Sequence, residues 1–148
     1  MKISHILLTT DLSDEAQRSF TYAADLAHEK GAKITLLNVV ENLTVAPHGA
    51  PLAPPLDDPE APALKDVAQK ALEQRRNELP ADIDVDCQTI LGTNLGTSIA
   101  EFANEHGCDL IVISTHGRSG FRRFVMGSTA EVVLRHSAVP VMVIPRVD

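Results

Sequence analysis

The amino-acid sequence predicts a single α/β domain built on a parallel, doubly wound sheet, and two features predict it. Short apolar runs alternate with segments whose apolar residues recur at helical spacing, the β-α pattern of a sheet with right-handed crossovers. Most of those runs are apolar at nearly every position, as strands covered by helices on both faces must be. A length of 148 residues, 44% hydrophobic and 22% charged, suits one globular domain spanning residues 1–148. The chain shows no internal repeat.

The first run, Ile3 to Thr9, is mostly apolar and β-branched and reads as a strand. It gives way to Thr10-Asp11-Leu12-Ser13-Asp14-Glu15, a cluster of residues that open helices. Phe20, Ala23, Ala24 and Ala27 then recur at helical spacing, and Gly31 stands where a left-handed cap would end the helix near Lys30. Ile34 to Val40 is the second strand. From Thr44 to Ala63 the pattern stops: Pro47, Pro51, Pro54, Pro55, Pro59 and Pro62 exclude helix and strand alike. A surface loop over about 44–63 is expected, serving as a lid, as an interaction segment or as a tolerated insertion.

Leu64, Val67, Ala68, Ala71, Leu72 and Leu79 mark a second helix stopped by Pro80. Ile83 to Ile90 alternates apolar with polar, the period of a strand with one wet face, and is assigned to a sheet edge. A third helix carries Ile99, Phe102 and Ala103 and ends at Gly107. Leu110 to Ile113 is short and wholly apolar, a central strand. A fourth helix from about Thr129 to His136 and a last strand, Val139 to Ile144, complete the pattern. Pro140 and Pro145 bracket that last strand, as befits an edge. A bare apolar edge invites pairing, so a homodimer through this strand is expected, the symmetric solution that covers it.

Composition excludes several classes of function. A formal net charge of −7 opposes nucleic acid, whose binding depends on phosphate neutralisation. No apolar run approaches the roughly 18 residues of a membrane span, and the N-terminus lacks the pattern of a signal peptide, so a cytoplasmic protein is expected. Cys87 and Cys108 are the only cysteines and read as reduced core residues. The histidines show no metal-ligand spacing, and no metal site is assigned.

Chemistry concentrates in the turn from Ser114 to Thr129. Gly117, Gly120 and Gly127 allow close backbone approach to a ligand, and Arg118, Arg122 and Arg123 form the densest positive patch of an acidic chain. Ser128 and Glu131 have capping-box spacing, so a helix N-terminus with its free N–H groups is expected there. Each feature alone has a structural explanation. Together, at the C-terminal end of a parallel strand, they favour phosphate binding. The spacing is neither that of a P-loop nor that of the dinucleotide fingerprint.

These residues, with Ile6-Leu7-Leu8-Thr9-Thr10-Asp11-Leu12-Ser13, Leu36-Leu37-Asn38-Val39-Val40 and Pro140-Val141-Met142-Val143-Ile144, resemble the universal stress protein family over nearly the whole chain. The ATP-binding branch of that family carries a Gly, two residues, a Gly, nine residues, then Gly-Ser or Gly-Thr. Here the second and third glycines fall on Gly117 and Gly127, Ser128 follows, and the first falls on Ser114, a departure. The resemblance implies a five-stranded sheet ordered 3-2-1-4-5, with Thr10 and Asp11 facing the turn that bears Ser114, Gly117, Arg118, Gly127, Ser128 and Thr129. It also implies that Asp11 hydrogen-bonds a nucleoside and that Val39 meets adenine through backbone groups. From the residues alone, Asp11 serves equally well in an Asx turn or N-cap, and Val39 in the core. ATP is the implied ligand, with ADP or AMP as alternatives and Mg²⁺ or Mn²⁺ as companions of the phosphates.

No catalytic residue is assigned. His116 beside Ser114 and Thr115 lacks a third orienting group, and neighbours along a strand point to opposite faces. Three readings remain open: a homodimeric nucleotide-dependent regulator of an unidentified protein partner, a slow ATP hydrolase, and a dimeric stress scaffold with a vestigial site.

Overall fold

The computed structural model describes residues 1–42, 59–115 and 126–145. Strand β1 (His5–Thr9) leads through a 3-10 turn (Asp14–Ala16) into helix α1 (Gln17–Lys30), followed by β2 (Lys33–Glu41). Helix α2 (Ala61–Arg75) runs into a second 3-10 turn (Arg76–Glu78), and then come β3 (Val85–Gly92) and α3 (Leu95–Glu105). Strand β4 (Leu110–Ser114), helix α4 (Ser128–His136) and β5 (Val141–Ile144) close the chain. The five strands form one sheet in the order β3-β2-β1-β4-β5, every adjacent pair being parallel. The expected fold class and strand order are both found.

Alternation along the strands divides the core into two layers. Ile6, Leu8, Ile34, Leu36 and Val112 turn to one face, where Phe20, Ala23, Ala24 and Ala27 of α1 and Leu72 of α2 cover them. Leu7, Leu37, Ile111 and Ile113 turn to the other, under Ile99, Phe102 and Ala103 of α3 and Ala130 and Val133 of α4. Each fully buried Leu, Ile or Val side chain contributes about 1.5–3 kcal/mol of transfer free energy. Those at the centre of the sheet, such as Leu7, Leu8, Leu36, Ile111 and Val112, are completely enclosed.

Local signals explain most of the boundaries. Gly31 takes φ +64°, the left-handed cap expected after Lys30. Asn94 caps α3 by accepting the Thr97 N–H at 3.0 Å. Strands β3 and β5 lie at the two edges, and β4 is central, as their patterns predict.

Several boundaries shift by a few residues: β1 begins at His5 rather than Ile3, β3 covers Val85–Gly92 rather than Ile83–Ile90, β5 begins at Val141 rather than Val139, and α2 ends at Arg75, short of Pro80. Two further shifts have a local cause. The Pro-rich loop ends sooner than Ala63, because α2 already begins at Ala61. Pro62 sits in its first turn, where a missing N–H costs nothing. Residues 44–58 of the expected loop lie outside the described residues. At α4 the N-cap is Gly127 rather than Ser128, which is itself the first helical residue, and among the described residues no side chain caps this helix end. The capping box is therefore absent.

His5 is a polar residue buried in β1 at the N-terminal edge of the sheet. Its Nε2 lies 2.8 Å from the Thr35 hydroxyl of β2, and both ring nitrogens lie 3.8 Å from Cys108 Sγ. Burial, and then the Lys33 ammonium, lower its pKa below 6.5, against opposing pulls from Asp109 and from the His106 backbone. Burial likewise raises the Cys108 thiol to about 11, so that it stays protonated.

A histidine whose pKa is lower folded than unfolded favours the fold fully above pH 6.5 and loses that contribution as pH falls from there through the folded value. The denaturation midpoint should therefore fall on acidification below pH 6.5, and His5→Gln, which cannot titrate, should flatten that slope. Denaturant titrations at several pH values check this, and an unchanged slope in the variant would place the effect elsewhere.

Candidate functional site

A cleft of about 690 Å³ opens at the C-terminal ends of β1, β2 and β4. Such a volume suits a small organic ligand. In the order β3-β2-β1-β4-β5 the chain winds outward in both directions from β1. The ends of β1 and β4 therefore flank the crevice where open α/β sheets hold ligands. Thr9 to Leu12, Asn38 to Glu41 and Ile113 to Thr115 form the cleft's strand side. Leu64, Val67, Ala68 and Ala71 of α2 make one wall, Leu95 and Ile99 of α3 another, and Gly127 to Ala130 at the start of α4 a third.

Of the residues the sequence singled out, Thr10, Asp11, Val39, Ser114, Gly127, Ser128 and Thr129 all line this one cleft. Gly117 and Arg118 lie outside the described residues, as do Arg122 and Arg123.

The β1–α1 turn is built by side chains acting on nearby backbone. Thr10 Oγ1 accepts the Leu12 N–H at 3.0 Å, and Asp11 Oδ1 accepts the Ser13 N–H at 2.9 Å. Asp11 thus makes the Asx turn. That does not remove it from the cleft, which it also lines. Asn38, buried on β2, donates from Nδ2 to the Thr10 carbonyl at 2.9 Å, and the Thr10 N–H donates to Leu37 O at 3.0 Å. The turn is thereby fastened to β2 as well as to its own strand.

On the opposite side, the Gly127 N–H donates to Thr115 O at 2.7 Å. A Cβ at Gly127 would stand only 2.2 Å from that same oxygen, so no other residue lets the start of α4 come this close to the end of β4. The first N–H groups of α4 have no acceptor within the helix and, among the described residues, no side-chain cap. With the helix dipole behind them, they offer a site for an anion. The charged residues among the described lining are Asp11 and Glu41, both acidic. Among the described residues, no group of His, Cys, Asp or Glu is arranged to hold a metal ion, and no helix is long and apolar enough to cross a membrane.

Sequence reasoning missed Asn38, whose position in an apolar run reads simply as strand. It also missed the α2 wall. Leu64 and Val67 are 48% and 67% exposed, unusual for large apolar side chains, and both face this opening. Their helical spacing was visible, but the strand ends they would face were not.

The model of the universal stress protein family matches residues 2–145. A Staphylococcus haemolyticus protein named for that family is 26% identical over 142 residues, covering 95% of this chain and 83% of the relative. The solved structure of the universal stress protein UspA from Lactobacillus plantarum is 28% identical, covers 97% of this chain and 99% of that one, and superposes with a TM-score of 0.78. Two more distant structures share the fold. One, a universal stress protein in complex with cAMP, is 19% identical with a TM-score of 0.63, covering 97% of this chain and 98% of that one. The other, from Archaeoglobus fulgidus in complex with dAMP, is 23% identical with a TM-score of 0.61 and the same coverage, 97% and 98%.

Proposed function

We propose, from the premise that this chain belongs to the universal stress protein family, that its cleft is an adenine-nucleotide site whose occupancy, rather than turnover, is the signal. One observation carries the reading: an apolar wall and an uncapped helix N-terminus line the same crevice. A nucleotide needs both. Its base is a flat, largely apolar surface that gains from burial against Leu64, Val67 and Ala71, while its phosphates gain from the N–H groups of Ser128, Thr129 and Ala130. That two fold relatives hold cAMP and dAMP accords with this division of the cleft.

Within this reading Asp11 and Thr10 face the ribose, and Val39 offers backbone groups to the base. Ser114 and Gly127 frame the phosphates, with Gly117 and Arg118 of the intervening turn contributing by family resemblance. ATP with Mg²⁺ or Mn²⁺ is the favoured ligand. The described lining carries only the acidic charges of Asp11 and Glu41, so a triphosphate gains from a cation that travels with it. A homodimer paired through β5 carries the signal to a protein partner, since Val141, Met142 and Val143 are only half-buried on this edge strand.

The test is to release any bound nucleotide by heat, identify it, and titrate the stripped protein with AMP, ADP and ATP with and without Mg²⁺. Saturation near one nucleotide per chain, tighter for ATP with the metal, is expected. No binding at millimolar concentrations would leave the dimeric scaffold as the better account.

A further inference from the structure

Leu12 has φ +68°, and among the described residues it alone combines a side chain with a positive φ. An L-residue resists this backbone shape, and it persists only where the surroundings dictate it. Three contacts do so. The Leu12 N–H donates to Thr10 Oγ1, its side chain packs against the core layer under α1 and α2, and its carbonyl accepts from Arg75 Nη2 at 2.7 Å. Arg75 stands at the last position of α2, whose earlier turns supply the apolar wall of the cleft. The same Nη2 meets Asp14 Oδ1 at 2.9 Å and Nη1 meets Glu78 Oε1 at 2.8 Å. One planar guanidinium thus ties the β1–α1 turn to the end of α2, a geometry that a single ammonium point charge cannot reproduce.

We propose that Arg75 is a positioning residue of the ligand cleft: by holding the Leu12 carbonyl it fixes the turn in the shape that presents Asp11. The inference rests on the nucleotide reading. Asn38 anchors the turn before Asp11 through the Thr10 carbonyl, and Arg75 anchors it after Asp11. Without Arg75 the Leu12 peptide is released to the ordinary negative-φ region, and the Asp11 carboxylate swings with it. The ion pair with Asp14 is incidental to this, since that carboxylate is 92% exposed and exposed pairs contribute little.

The experiment compares the full chain with Arg75→Gln, Arg75→Lys and Asp14→Asn by ATP and AMP titration, and by amide hydrogen exchange without nucleotide. Arg75→Gln should weaken binding about tenfold, the scale of a lost charge-assisted hydrogen bond. It should also speed exchange at Leu12 and Ser13 while leaving β1 and β4 protected. Asp14→Asn should change affinity less than about twofold. If Arg75→Gln does not fold, Arg75→Lys carries the test, with a smaller loss of the same kind. Affinity within twofold of wild type in the Arg75 variants would overturn the proposal, because a merely structural role changes stability and leaves affinity alone. If the wild-type chain itself binds no adenine nucleotide, the functional reading falls, and exchange decides the loop-holding role by itself. Selective acceleration at Leu12 and Ser13 supports it, and unchanged exchange overturns it.

Discussion

A Gly127→Ala protein is expected to bind nucleotide about tenfold to hundredfold more weakly and to lose about 1–3 kcal/mol of stability. The backbone at Gly127 has φ −56°, which alanine accepts without strain, so the whole effect comes from space. The new methyl would lie 2.2 Å from Thr115 O. That oxygen belongs to the main chain and cannot rotate away, and the Thr115 N–H is already tied to Ile144 O at 3.0 Å. Relief must come from the start of α4 moving outward. A shift of even 1 Å carries its N–H groups beyond hydrogen-bonding range of a phosphate seated against β4. Calorimetric titration together with thermal unfolding separates the two losses. Unweakened binding in a destabilised variant would mean that the phosphates do not rest on this helix end.

Gly96→Ala should also destabilise the chain by about 1–3 kcal/mol, although two effects of opposite sign meet there. Alanine is the better helix former by up to about 1 kcal/mol in a helix interior, and by less in a first turn. Against this, a Cβ at Gly96 would stand 2.5 Å from Val132 Cβ and 2.9 Å from the Thr129 carbonyl oxygen. Val132 is half-buried and β-branched, and Thr129 O is backbone, so neither yields cheaply. Overpacking wins. For a chain of this length the melting temperature should fall by roughly 2–4 °C for each kcal/mol lost. Because Thr129 sits in the proposed anion site, a smaller loss of nucleotide affinity should accompany the change. A raised melting temperature would show that α3 and α4 slide apart at little cost.

Much of this architecture was legible in the sequence because its signals are local. The mostly apolar run Ile34–Val40 and the wholly apolar run Leu110–Ile113 announce strands covered on both sides, the alternation in Ile83–Ile90 announces an edge, and Gly31 announces a helix end. The strand order, and with it the facing of Thr10 and Asp11 toward the turn, came from the family resemblance alone, while the turn from Ser114 to Thr129 stood out by its own residues. What was not legible depends on contacts between distant segments. Asn38 looks like any strand residue until Thr10 is found beside it. Ser128 and Glu131 have the spacing of a capping box, yet the close approach of Gly127 to Thr115 moves the helix start by one residue and leaves the serine inside it. Arg75 lies inside the helical segment before Pro80 with nothing to single it out, and its hold on the Leu12 carbonyl appears only once the two elements are adjacent.

The placement of His5 and Thr9 at opposite ends of β1 has a practical consequence. The strand's five residues run from the buried imidazole of His5 to Thr9 at the cleft, roughly 13 Å at the usual rise of a strand. Groups that far apart with no shared partner ordinarily act independently. The His5 ring is therefore an internal gauge of the sheet's integrity that is blind to ligand. Its resonances should keep their folded positions in any variant that merely empties the cleft, and should collapse to those of a free imidazole only in one that has come apart.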